Sequence, residues 1–182
     1  MQVYQNKNQC SGCTACMNIC PVNAITMVAD REGFLYPQIN ETKCTECSLC
    51  QKICSFHEGY AKNANLPFPT VYAVKHIDDH IRMSSSSGGM FTALSDYVLQ
   101  KQGVVYGAAF DNEFRVCHQK AETAQERDRF RGSKYVQSDL GNIFQDVKAE
   151  LDRNRDVLFT GTPCQIAGLK AFLGKRKYDR LI

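Results

Sequence analysis

The sequence predicts two domains of different class: a small α+β module tied together by cysteines, and behind it an α/β domain with a mostly parallel sheet. Two patterns carry this reading. A cysteine run occurs twice before residue 55, and after residue 70 the apolar residues alternate between strand-like and helix-like periods. Composition sets the bounds, since 182 residues with 43% hydrophobic content suffice for one ordinary core plus a small appended module.

The formal charge is only +3, with Lys and Arg scattered along the chain. Without a basic stripe, nucleic acid is excluded as a partner. The start "MQVYQNKNQCSGC" lacks the charged and apolar regions of a secretory signal, and no apolar run approaches the ~18 residues of a membrane span. The expectation is a cytoplasmic protein with no membrane span. In a reducing compartment, ten cysteines point to metal ligation or catalysis rather than disulfides.

Spacing decides between the two. Residues 10–20 read "CSGCTACMNIC" and residues 44–54 read "CTECSLCQKIC", each C-x2-C-x2-C-x3-C. The constant offset of 34 residues (10 to 44, 20 to 54) marks an internal repeat. Three cysteines at this spacing curl the backbone around one iron–sulfur cube, and the fourth iron takes its ligand from elsewhere. In the two-cluster ferredoxin arrangement the last cysteine of each run ligates the other cluster. On this chain Cys10, Cys13, Cys16 and Cys54 would then hold one [4Fe-4S] cluster, and Cys44, Cys47, Cys50 and Cys20 the second. Such crossing would tie together a module too small for a stable core of its own. Paired zinc sites are the alternative, but they space two C-x2-C pairs by about 12 to 20 residues and have no use for a third cysteine. Pro21 follows the first run and Ser55 the second, a departure that leaves the thiolates untouched. Each cluster with its thiolates carries −2, so metallation turns the charge from +3 to −1.

Between the runs, "AITMVADREGFLYPQIN" predicts two short strands around a turn at Asp30 to Gly33. The cysteine module is expected to span residues 1–56. Residues 57–70, polar with two prolines, read as a linker, and the α/β domain as 71–182. Within it, strands are expected at 71–76, 104–110, 114–119 and 156–160, and helices at 88–101, 142–151 and 165–174. The first helix should present Met90, Phe91, Leu94, Tyr97 and Val98 on one face.

Ahead of that helix stands "RMSSSSGGMF". A Ser/Gly turn opening a helix offers hydroxyls and backbone N–H groups at the positive end of a helix dipole, which suits a phosphate. No Lys-Ser/Thr pair follows the glycines and no G-x-G-x-x-G is present, so neither nucleotide fingerprint applies. Taken alone, such a stretch also reads as a loop ending in a helix cap. Clusters move electrons singly whereas most organic substrates take pairs, so a flavin, which brings phosphates, is the expected converter. Cys164, at a strand-to-helix turn, reads either as an activated thiol or as a small buried residue. Cys117 reads as core, and His118 and His80 as hydrogen-bonded or surface residues.

The cysteine module, "RMSSSSGGMFTALSDYVL", "GVVYGAAF", "RGSKYVQSDLG" and "LFTGTPCQIAGLKAFL", in this order, resemble the coenzyme F-420 hydrogenase/dehydrogenase beta-subunit family. The resemblance implies an iron–sulfur flavoprotein oxidoreductase that passes electrons between two [4Fe-4S] clusters, FAD and a small-molecule hydride donor or acceptor, with coenzyme F-420 as one candidate. It also implies a redox partner protein or subunit. Ser86, Ser87, Gly88, Gly89, Lys134, Gly161, Thr162, Pro163 and Cys164 become candidate cofactor-binding residues; Arg131, beside Lys134 in the same charged segment, is a further candidate cation, and Arg82 a weaker one. Family members continue beyond this point, whereas this chain ends at "KYDRLI", so the second domain is expected to be incomplete at its C-terminus. The alternative is a ferredoxin-like electron-transfer subunit with no flavin or substrate chemistry of its own.

Overall fold

In a computed structural model, residues 3–4, 6–57, 68–174 and 179–182 are described. The chain forms two compact units. The first comprises Met1–Lys62, Leu140–Asp146 and Gly161–Lys177, and the second Asn63–Asp139, Val147–Thr160 and Tyr178–Ile182. Where the sequence reading ran one continuous domain from residue 71, the structure returns two later segments to the first unit. Residues 58–67 of the expected linker lie outside the described residues.

In the first unit, α1 (Ala15–Ile19) and α2 (Leu49–Lys52) follow the first two cysteines of each run, and β1 (Ile25–Ala29) pairs antiparallel with β2 (Leu35–Ile39). The Asp30 carboxylate accepts from the N–H groups of Glu32 and Phe34, both at 2.9 Å, and Gly33 takes φ +87°, a conformation costly for any side chain. Cys16, Cys50, Val3 and Ile25 form a small buried cluster.

The second unit holds α3 (Asp79–Met83), α4 (Met90–Gln100), β3 (Val104–Phe110), β4 (Val116–Ala121), α5 (Ala124–Asp128) and β5 (Val157–Phe159). α6 (Ile143–Asp152) begins in the first unit and ends in the second, and α7 (Pro163–Leu173) belongs to the first. The sheet has strand order β4-β3-β5. It is mixed rather than mostly parallel, because β3 and β4 form an antiparallel hairpin and only β5 runs parallel to β3. Leu181 adds an isolated parallel bridge to Val157. Val98, Val105, Ala109, Ala121, Phe130 and Leu158 make the core. Gly107 has no side chain because a Cβ would stand 2.7 Å from the Phe130 ring.

Two further expectations are corrected here. Residues 71–76 form no strand: Val71, Tyr72 and Val74 are exposed, with no ladder to join. The buried face of α4 is only partly its apolar stripe: Val98 is buried and Phe91 packs against the core, but Met90, Leu94 and Tyr97 are exposed while Thr92 and Ser95 are buried. The cause is Arg127 of α5, itself only 3% exposed. Its guanidinium donates to the Thr92 carbonyl at 3.2 Å and to the Ser95 hydroxyl, and pairs with Asp96 at 2.8 Å. A buried cation needs such partners, and they turn the polar residues inward.

Candidate functional site

The repeat seen in the cysteines is repeated in the backbone. Gly12 and Thr14 sit at φ +64° and +60°, and their counterparts Glu46 and Ser48 at +53° and +59°. Left-handed residues at these points give both runs the same sharp bends.

The runs also meet across the repeat. Cys20, the last of the first run, lines a small pocket together with Cys44, Cys47 and Cys50 of the second, walled by Val22, Ile25, Ile39 and Leu49. Cys54, the last of the second run, lies within electrostatic reach of Cys10 and Cys13. Cys16 is near enough to both Cys10 and Cys50 to feel their charge, so the two groups adjoin.

Burial raises the thiols of Cys10, Cys13, Cys16 and Cys50 above their ordinary values, and neighbouring cysteines add to the rise. Thiolates at these positions therefore call for a compensating cation. Peptide N–H groups already point at the sulfur, from Ala24 to Cys20 Sγ at 3.2 Å and from Glu46 to Cys44 Sγ at 3.4 Å. Among the described residues no three His, Cys, Asp or Glu side chains converge closely enough to hold a single metal ion. Thiolates that bind separate irons of one cube stand further apart than those sharing one ion.

A second concavity lies in the second unit. It brings together the Ser/Gly turn (Ser85 to Gly89) and the Arg131 to Ser133 segment, which are distant in sequence. Ser86, Ser87 and Ser133 line it, and their hydroxyls have no hydrogen-bond partner among the described residues. Arg131 also lines it, steadied by Thr92 Oγ1 at 3.2 Å and Asp128 at 3.1 Å. The glycines have a local reason as well: a Cβ on Gly88 would lie 2.4 Å from the Val74 carbonyl, and one on Gly89 2.9 Å from the His76 Cβ.

Other predicted residues lie elsewhere. Lys134 donates to the carbonyls of Arg129 and Arg131, both at 2.9 Å, and burial lowers its pKa; it ties the turn behind the pocket without lining it. Arg82 pairs with Asp79 at 2.7 Å. Gly161, Thr162, Pro163 and Cys164 belong to the first unit. Thr162 caps α7 and Pro163 opens it, so Cys164 lies inside the first turn, 3.1 Å from the Thr162 hydroxyl. His118 is buried between Ser138 Oγ at 2.9 Å and the Thr160 carbonyl at 2.8 Å, and burial lowers its pKa. His80 is exposed, and Cys117 is half-buried.

The sequence reading missed the buried Asn18 and the helical Gly168, both beside the cysteines. Asn18 donates to the Thr14 and Gly141 carbonyls at 3.1 and 2.9 Å, and its own carbonyl accepts from Gln145 at 3.0 Å. The available signal was Gly168, a glycine placed mid-helix in "QIAGLKAFL".

Among the described residues no helix is long and apolar enough to cross a membrane. No curated protein matches the chain. Residues 9–57 match the family model of the 4Fe-4S dicluster domain, so this chain carries an N-terminal iron–sulfur domain of the two-cluster type, a class suited to electron transfer.

Proposed function

We propose that this chain is an electron-transferring oxidoreductase subunit of the cytoplasm. Cys10, Cys13, Cys16 and Cys54 hold one [4Fe-4S] cluster; Cys44, Cys47, Cys50 and Cys20 hold the other. One observation supports the crossed pairing above all: the pocket that Cys20 lines with the second run. Eight thiolates supply two complete ligand sets, which leaves Cys117 and Cys164 outside them.

The finer part of the reading is a flavin nucleotide, FAD, with its phosphates in the Ser/Gly pocket. Its support is the resemblance in sequence and the donor chemistry of the lining. The hydroxyls of Ser86, Ser87 and Ser133, the N-terminus of α4 and the Arg131 guanidinium are the groups an anion requires. When bound, the clusters carry single electrons and the flavin exchanges them in pairs, as a hydride, with an organic partner such as coenzyme F-420. The protein's own contribution is to orient the phosphates, to keep Arg131 fixed through Thr92 and Asp128, and to hold the sulfurs under a layer of apolar side chains.

Anaerobic reconstitution with iron, sulfide and FAD, followed by gel filtration, tests both parts. Co-elution of a broad cluster absorption with a structured flavin band, both bleached by dithionite, is the expected result. A cluster band alone would leave the ferredoxin-like electron carrier and remove the flavin. Zinc without acid-labile sulfide would remove both.

A further inference from the structure

We propose that α7, far beyond the matched residues 9–57, forms a wall of the cluster site of the first run, and that its Gly168 positions the Cys13 sulfur. The inference rests on the two-cluster reading above. Gly168 lies buried in the middle of an eleven-residue helix, where alanine would be the better helix former. What leaves a side chain little room is the cysteine. A Cβ at residue 168 would stand 3.1 Å from Cys13 Sγ, 3.3 Å from Cys13 Cβ and 3.3 Å from the Phe144 ring. Phe144 is fully buried and packed against Phe172 at 6.0 Å between ring centroids, so the ring has little room to yield. The displacement passes into the sulfur, and so into the iron it binds.

Cys164 lies one turn earlier on the same helical face and within electrostatic reach of Cys13. Asn18, bonded to Gly141 and Gln145, anchors α1 to a second returning segment. The equivalent of Cys13 in the second run is Cys47, which is exposed. Tuning by α7 is therefore confined to one cluster of the two.

The test uses the full chain, reconstituted anaerobically, as wild type, Gly168→Ala and Cys164→Ala. Iron and sulfide contents are measured, then electron paramagnetic resonance spectra and midpoint potentials of the reduced protein. Cys10→Ser, a ligand of the same cluster in either pairing, identifies the signal belonging to the first run. In Gly168→Ala that signal should change its g-values and midpoint while the other is unchanged, and half of the iron should pass to a chelator several-fold faster. Cys164→Ala, which leaves the helix and its packing in place, should move the midpoint of the same signal by a smaller amount. Spectra superimposable on wild type in both variants, or equal shifts of both signals, would overturn the inference while leaving two clusters intact. A wild-type protein without two clusters would instead overturn the reading on which it rests.

Discussion

At Ala15 the first cysteine run is 1% exposed; at Leu49, its counterpart one repeat later, exposure is 37%. The same contrast holds for Asn18, buried and bonded to the Gly141 carbonyl, against Lys52 on the surface, and for Cys13 under Gly168 against exposed Cys47. Spacing and left-handed backbone are shared, so local sequence sets how each run bends. What separates the runs is the rest of the chain: α7 and residues 140–145 pack on the first run. A duplicated motif thus gains two environments, and burial, access and hydrogen bonding to sulfur are the quantities that tune a cluster.

The largest effect that could break this comparison is metal removal. On the proposed pairing, a chelator should strip iron in two phases, the faster from the site around exposed Cys47. Complete removal should collapse hydrogen-exchange protection in α1 and α2, because the small cluster of Val3, Cys16, Ile25 and Cys50 is a meagre core. Single-phase release with α1 and α2 still protected would contradict the contrast.

Next in size are the paired residues Asn18 and Lys52. Asn18→Ala removes the partners of buried groups and should cost about 2 kcal/mol, read as lost exchange protection in α1. Lys52→Ala, at an exposed position, should stay within about 0.5 kcal/mol. Equal losses would mean that the runs are equivalent after all.

The smallest effects sharpen what the runs share. Gly12→Ala places a side chain at φ +64° and should destabilise by about 1 kcal/mol, whereas Glu46→Gly relieves the same conformation and should stabilise by about 0.5 kcal/mol. Anaerobic urea unfolding of the reconstituted protein measures both, and a loss on Glu46→Gly would show that the carboxylate does something the backbone does not.

Much of this was legible beforehand because the cause was local. The β1–β2 hairpin was readable from Asp30 and Gly33. The β3–β4 hairpin uses the same turn: the Asp111 carboxylate accepts from the N–H groups of Glu113 and Arg115 at 2.8 and 2.9 Å. It went unread as an antiparallel pair because Phe114, at φ +59°, stands where the first turn has glycine. α6, β5 and α7 fall within two residues of expectation at most ends. The errors have non-local causes. Residues 71–76 carry strand-forming side chains but find no partner strand, and the inner face of α4 is chosen by Arg127, on another helix. In the site, the repeated cysteine spacing was legible as an iron–sulfur motif, whereas Gly168 and Asn18 matter only through residues distant in sequence. The Ser/Gly turn and Arg131 were each readable as candidates for binding a cofactor, but not that folding brings both into the same pocket.

Electron paramagnetic resonance of Cys54→Ser beside Cys20→Ser decides whether the two ligand sets cross. With crossed sets, Cys54→Ser perturbs or loses the cluster held by Cys10, Cys13 and Cys16, although residue 54 lies in the other run, and Cys20→Ser does so for the cluster of Cys44, Cys47 and Cys50. Variants of Cys13 and Cys47 supply the assignment, since each removes a ligand whose cluster is the same in either pairing. If Cys54→Ser instead alters the signal that Cys47→Ser removes, each run holds its own cluster and the sets do not cross.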